Sequence, residues 1–190
     1  MSNNHSDEIT LFDGHDYLFK KNLQNCRIYF EYGVGKSTSY VIKNTKAKII
    51  AVDTDKSWIE SIDISKRRKD IKLNWVNLGE LENWGRPKTY SYRNNFIDYI
   101  GAVWQFNLKA DVILIDGRFR VACFIYSLLN AEEGSVIIFD DYTNRPYYHV
   151  VEEIVSRFDE CGRQAVFKVP KQFNINLAKK LLDKFIYVFD

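Results

Sequence analysis

The chain has 190 residues, 46% hydrophobic and 15% aromatic, with 13 Phe, 12 Tyr and 4 Trp, enough apolar material for a buried core, which excludes the disordered and fibrous classes. Its 27 basic and 25 acidic side chains leave a formal charge of +2, a weak electrostatic footprint for a polyanion, so no nucleic-acid partner is expected. No stretch approaches the ~18 apolar residues of a membrane span, and the three cysteines, Cys26, Cys123 and Cys161, form neither a C-x-x-C pair nor a disulfide framework.

Residues 1–190 therefore read as one domain in a reducing compartment, by default the cytoplasm, with no membrane partner. The tightest basic run, Lys66-Arg67-Arg68-Lys69, is bounded by Asp63 and Asp70 and reads as a solvated loop.

Taken in order, residues 1–26 form an N-terminal helical segment, amphipathic from about Asp7 to Leu23. Short apolar runs then alternate with helical patterns. Strands are predicted over 27–32, 48–52, 73–76, 110–115 and 135–139, and helices over 37–44, 57–65, 96–106, 121–130 and 146–158, the last with Pro146 suitably at its first position. The near-continuous β-branched and Leu runs are those of a parallel sheet covered by helices on both faces. Two further runs, 164–169 and 184–189, joined by 170–182, predict a C-terminal antiparallel hairpin. The expected fold is α/β: a Rossmann-like doubly wound sheet of five parallel strands plus that hairpin.

In such sheets a ligand sits outside the carboxyl ends of the strands, where the strand order reverses. The first strand runs into Glu31-Tyr32-Gly33-Val34-Gly35-Lys36-Ser37-Thr38, a turn that opens a helix and lets backbone approach a ligand closely. A nucleoside triphosphate is one candidate occupant, because Gly35-Lys36-Ser37 matches the end of a Walker A loop. That motif also needs glycine at 30, where Phe30 stands. A dinucleotide is another, since Asp53 follows Gly33 by 20 residues, but Thr38 replaces the third glycine and these residues leave no room for a catalytic domain.

The third candidate is S-adenosyl-L-methionine (SAM). The run from Glu31 through Gly33 and Gly35 to Ser37 and Thr38, with Asp53 closing the second strand, resembles the first two motifs of class I SAM-dependent methyltransferases. The segments from Asp111 to Asp116-Gly117 and from Gly134 to Asp140-Asp141-Tyr142 resemble the fourth- and fifth-strand motifs of their small-molecule O-methyltransferases. The resemblance implies that Gly33 and Gly35 approach the amino-acid part of SAM, with Glu31, Ser37 and Asp116 shaping that pocket. It implies that Asp53, and less directly Asp55, bind the ribose, and that adenine lies near Asn77 with Trp58 or Trp84 as a wall.

In cation-dependent members, acids matching Asp116, Asp140 and Asp141 hold Mg²⁺ or Mn²⁺, which implies a metal site here. The sequence departs from that pattern at Arg118 and Arg120, whose guanidiniums can neutralise the carboxylates without a metal and leave an Asp as general base. Arg118, Arg120, Tyr142, Arg145 and Tyr148 are the candidate acceptor-binding residues. His149 is a candidate base beside the three acids, since its ordinary pKa lies near 6.5. The activity implied is O-methylation of a small polar acceptor, foremost a sugar of a glycan or a nucleotide sugar. A homodimer is the assembly considered, and a non-catalytic SAM- or nucleotide-binding module or a small P-loop protein is the alternative function.

Overall fold

The computed structural model describes residues 11–63 and 68–190. Strands form at β1 (Ile28–Tyr32), β2 (Lys48–Asp53), β3 (Ile71–Trp75), β4 (Val112–Ile115), β5 (Val136–Phe139), β6 (Asp159–Cys161) and β7 (Gln164–Lys168). They pair into one seven-stranded sheet of order β3-β2-β1-β4-β5-β7-β6. The first five run parallel, in register from Ile28 opposite Lys48 and from Tyr29 opposite Val112, and β7 returns antiparallel with Phe139 opposite Ala165. The order reverses between β1 and β4, which opens the crevice that a ligand uses in this architecture.

Helices cover both faces: α1 (Tyr17–Leu23), α2 (Lys36–Asn44) and α3 (Lys56–Ser61) on one, α4 (Phe96–Gly101), α5 (Arg120–Asn130) and α6 (Ile175–Phe185) on the other. Strand alternation divides the core between the two faces. Phe30, Tyr32, Ile113 and Ile115 pack beneath α4 and α5, while Tyr29, Ile49, Ala51 and Leu114 pack beneath α1 and α2. The helix predicted over 57–65 ends at Ser61, and residues 64 and 65, with Lys66 and Arg67, lie outside the described residues, as do residues 1–10 with His5. Arg68 donates to the Thr45 and Ala47 carbonyls, so this part of the basic run braces the loop after α2.

Three elements differ from expectation. The C-terminal hairpin is built from β6 and β7, not from 164–169 and 184–189. β6 is short, polar and exposed, with the charges that keep an edge strand from pairing further, so it carries no apolar alternation to read. Residues 175–185 form α6 instead, capped by the Asn174 side chain accepting the Leu177 amide and burying Ala178 and Leu181. The aromatic run after α6 then packs as a tail, with Phe189 against Tyr90, Phe96 and Phe119. The segment opening at Pro146 is a 3-10 helix, Pro146–Glu153, rather than an α-helix to 158. The helix expected over 96–106 likewise stops as α at Gly101 and continues as a 3-10 turn through Trp104.

The three cysteines are free thiols. No helix of the described residues is long and apolar enough to cross a membrane.

Candidate active site

A cavity of about 680 Å³ lies over the carboxyl ends of β1, β2, β4 and β5 and straddles the strand-order reversal. Its floor is the turn between β1 and α2. Gly33 adopts φ +94°, and a Cβ there would meet the Asp116 carbonyl oxygen at 2.8 Å and the Gly117 nitrogen at 2.9 Å. Only glycine lets the ends of β1 and β4 close against each other in this way. Gly35 is different: its backbone is extended and a Cβ would project into open space. Neither backbone strain nor packing calls for glycine at Gly35, which fits a ligand's close approach. Phe30 and Glu31 belong to β1, so just three residues separate β1 from α2, too few for a phosphate-wrapping loop.

Glu31 is fully buried beneath this turn and accepts a short hydrogen bond from the Ser37 hydroxyl. Burial pushes its carboxyl up to about 8, against the hydrogen bonds from Ser37 and Thr38. At neutral pH it is therefore largely protonated. Asp53, at the end of β2, accepts the Val34 amide at 2.7 Å and the Asp55 amide at 2.8 Å, and burial raises its pKa. Beyond it stand Trp58 and Trp84, with ring planes 11° from parallel and centroids 6.5 Å apart. The loop bearing Trp84 is pinned to the end of β2 by the Thr54 hydroxyl donating to the Gly85 carbonyl at 2.7 Å. The cavity thus has a flat aromatic wall on the side of Asp53.

The opposite side is built from charge. Asp116 follows β4, and Asp140 and Asp141 follow β5, in positions that neighbouring parallel strands bring together. Arg120, buried in the first turn of α5, donates to the Gly117 and Asp140 carbonyls at 2.9 and 2.8 Å. It also pairs with Asp116 and Asp141, at 3.2 Å each. Arg163 donates to Asp140 Oδ1 at 3.1 Å and lies 2.8 Å from Oδ2 as an ion pair, and Arg145 pairs with Asp141 at 2.7 Å. Burial pushes Asp116 up to about 7; Arg120 opposes this, and Asp140 and Asp141 add to it.

The predicted site residues divide accordingly. Gly33, Gly35, Ser37, Asp53, Asp116, Arg118, Arg120, Asp141 and Arg145 line the cavity. Glu31 and Asp140 lie directly beneath it, holding Ser37 and Arg163. Asp55 is elsewhere engaged: it caps α3, accepting from the Ser57 amide and hydroxyl. Asn77 accepts the Gly79 amide and does not line the cavity. Tyr142 and Tyr148 are buried, the first donating to Glu152 and the second accepting from Arg145. His149 packs tilted against Tyr142 with its Nε2 3.1 Å from the Tyr142 carbonyl, and it does not line the cavity.

Sequence reasoning missed Arg163, which the tight β6–β7 turn delivers, and Leu11, Phe12 and Asp13, which close one side of the cavity. The β6–β7 turn has no apolar periodicity, and the amphipathic pattern of the N-terminal segment shows which residues pack, not that they reach the cavity.

The residues present do not fit a divalent cation. Among the described residues no group of three or more His, Cys, Asp or Glu side chains is placed to hold one. The physical reason is visible in the site, because the carboxylate oxygens that would ligate the ion are already turned toward Arg120, Arg145 and Arg163.

No protein-family model matches the chain, and no curated protein matches it. Solved structures do. A methyltransferase-like protein from Silicibacter pomeroyi is 25% identical with a TM-score of 0.84, covering 95% of this chain and 97% of that one. An O-methyltransferase from Bacillus cereus, solved with SAH, is 14% identical with a TM-score of 0.52, over 87% of this chain and 84% of that one. The N-methyltransferase NodS from Bradyrhizobium japonicum, solved with S-adenosyl-L-homocysteine (SAH), is 15% identical with a TM-score of 0.54, over 87% and 90%. The strand order, the glycine turn at the reversal point and these likenesses together show that the chain has the class I SAM-dependent methyltransferase fold.

Proposed function

We propose that the protein is a SAM-dependent O-methyltransferase acting on a hydroxyl of a small polar acceptor, with a sugar of a glycan or a nucleotide sugar as the leading class. One observation carries this reading: a single cavity joins a glycine turn, Asp53 and an aromatic wall on one side to Asp116 and Asp141 on the other. The first set suits the amino-acid, ribose and adenine parts of SAM; the second suits a reacting hydroxyl.

When bound, SAM supplies an activated methyl group and departs as SAH. Gly33 and Gly35 would admit its amino-acid part, Asp53 would accept from the ribose hydroxyls, and Trp58 or Trp84 would wall the adenine. Asp116 acts as general base: its carboxylate takes the acceptor's hydroxyl proton while that oxygen gains the methyl group. A base with a pKa near neutrality suits this transfer. Asp141 and Arg145 orient the acceptor, with Arg118 at the rim.

The arginine pairing of all three acids favours a second reading, a SAM-binding module without turnover. The open cavity between Asp116 and Asp53 supports catalysis over it. The deciding experiment incubates the protein with methyl-labelled SAM and a panel of sugars, nucleotide sugars and catechols. Label in an acceptor hydroxyl supports the enzyme; SAH binding with no transfer to any acceptor supports the module.

A further inference from the structure

Three carboxylates at the ends of adjacent strands repel one another unless positive charge joins them. Here that charge arrives on three separate elements: Arg120 from α5, Arg145 from the segment before the 3-10 helix, and Arg163 from the β6–β7 turn. Arg163 is held firmly through its backbone. Its carbonyl accepts the Tyr142 and Thr143 amides at 2.8 and 3.2 Å, which fixes the turn against the chain leaving β5. The preceding Gly162 has φ +57°, and the His15 ring occupies the position a Cβ would take, so the turn is confined from the other side as well. From this anchor the guanidinium donates to Asp140 Oδ1, ion-pairs with Oδ2, approaches Asp141 at 3.4 Å and pairs with Asp13 across the cavity rim.

We propose that Arg163 is a positioning residue that, with Arg120 and Arg145, takes the place of a divalent cation in the Asp116, Asp140 and Asp141 cluster. A planar guanidinium can bridge two carboxylates in a fixed fork, as a point charge on a lysine cannot. The cluster is thereby neutralised by buried Arg120 and by Arg145 and Arg163 from the cavity wall, which Asp116 and Asp141 share. This rests on the methyltransferase reading only in treating that face as the acceptor side.

The test uses the full chain and Mn²⁺ as probe, with bound ion followed by electron paramagnetic resonance and thermal unfolding recorded with and without millimolar Mn²⁺. The wild type is expected to leave Mn²⁺ free and to show no shift in Tm. Arg163→Gln should lower Tm, bind Mn²⁺ and recover part of the lost Tm with it, because the freed Asp140 and Asp141 oxygens then need a cation. Arg163→Lys, which keeps the charge and loses the fork, should fall between the two in Tm and remain indifferent to Mn²⁺. Binding of Mn²⁺ by the wild type overturns the proposal, as does an Arg163→Gln protein as indifferent to Mn²⁺ as the wild type. Should that variant not fold, the wild-type and Arg163→Lys measurements decide: Mn²⁺ binding by either overturns the proposal, and indifference in both supports it. Calorimetry with SAH on the same wild-type sample separates the two readings, since failure to bind SAH removes the methyltransferase assignment without altering the Mn²⁺ result.

Discussion

The Asp53 carboxylate ties the end of β2 to the glycine turn, accepting the Val34 amide through Oδ2 at 2.7 Å while Oδ1 takes the Asp55 amide at 2.8 Å. The residue expected to read the ribose therefore also holds the shape of the loop that admits the amino-acid part of SAM. Asp53→Asn replaces one acceptor by a donor facing a backbone amide, leaving a buried N–H without its partner. A stability loss of about 1–3 kcal/mol is expected, with SAH affinity reduced at least about tenfold, roughly 1.4 kcal/mol. Urea unfolding and calorimetry on the variant check both; an unchanged affinity would separate Asp53 from the cofactor.

Gly33 and Gly35 predict opposite outcomes for the same substitution. Gly33→Ala forces a methyl group into the Asp116 and Gly117 backbone at a positive φ, so it should unfold at clearly lower temperature. Gly35→Ala meets neither strain nor a neighbour, and its Tm should stay close to the wild type while SAH binding weakens. Paired melting curves and SAH titrations of the two variants distinguish a glycine kept for packing from one kept for a ligand.

Most of this arrangement was legible in the sequence. Short apolar runs ending in Asp53, Asp116 and Asp140 marked the parallel strands, and the cavity lies over their carboxyl ends. What was not legible depended on contacts that leave no local pattern. Arg163 follows a three-residue acidic edge strand whose pairing is set by β7, and the aromatic run at 184–189 alternates like a strand although its rings fill a gap beside Phe96 and Phe119. Asn77, expected beside the adenine, accepts the Gly79 amide away from the cavity, whereas Trp58 and Trp84, expected with it, do line the cavity, Trp84 on a loop pinned through Thr54 and Gly85. Tyr142 and Tyr148 have the side chains of a sugar-binding loop, yet both are spent on the core.

Glu31 gives a pH signature in stability. Its folded pKa, about 8, lies above the ordinary carboxylate value of 4.5 because burial opposes the charge. The folded state then binds a proton that the unfolded chain has released, so this contribution is full below pH ~4.5 and is lost as pH rises through ~8. Glu31→Gln mimics the protonated form. It should match the wild type near pH 5 and exceed it near pH 9 by an amount on the order of a few kcal/mol, as chemical unfolding across that range will measure. A variant with the same pH slope as the wild type would show that Glu31 is ionised when buried.

Asp116 should control turnover rather than cofactor binding. Its pKa of about 7, raised first by burial, means that the base is mostly protonated below neutrality. Methyl transfer should accordingly rise through pH ~7 and level off above it. Asp116→Asn should lower the rate about 100-fold or more and leave SAH affinity within about twofold, some 0.4 kcal/mol. Equal losses in rate and in affinity would merge the two halves of the cavity into one cofactor site.

The proposed function requires the β1–α2 turn and Asp53 to form a SAM site and not a phosphate site. Isothermal calorimetry of the purified protein against SAM, SAH, ATP and NAD⁺ tests it directly. SAM and SAH are expected to bind, with no measurable heat from ATP or NAD⁺; binding of ATP alone, lost on Lys36→Ala, would overturn the SAM site.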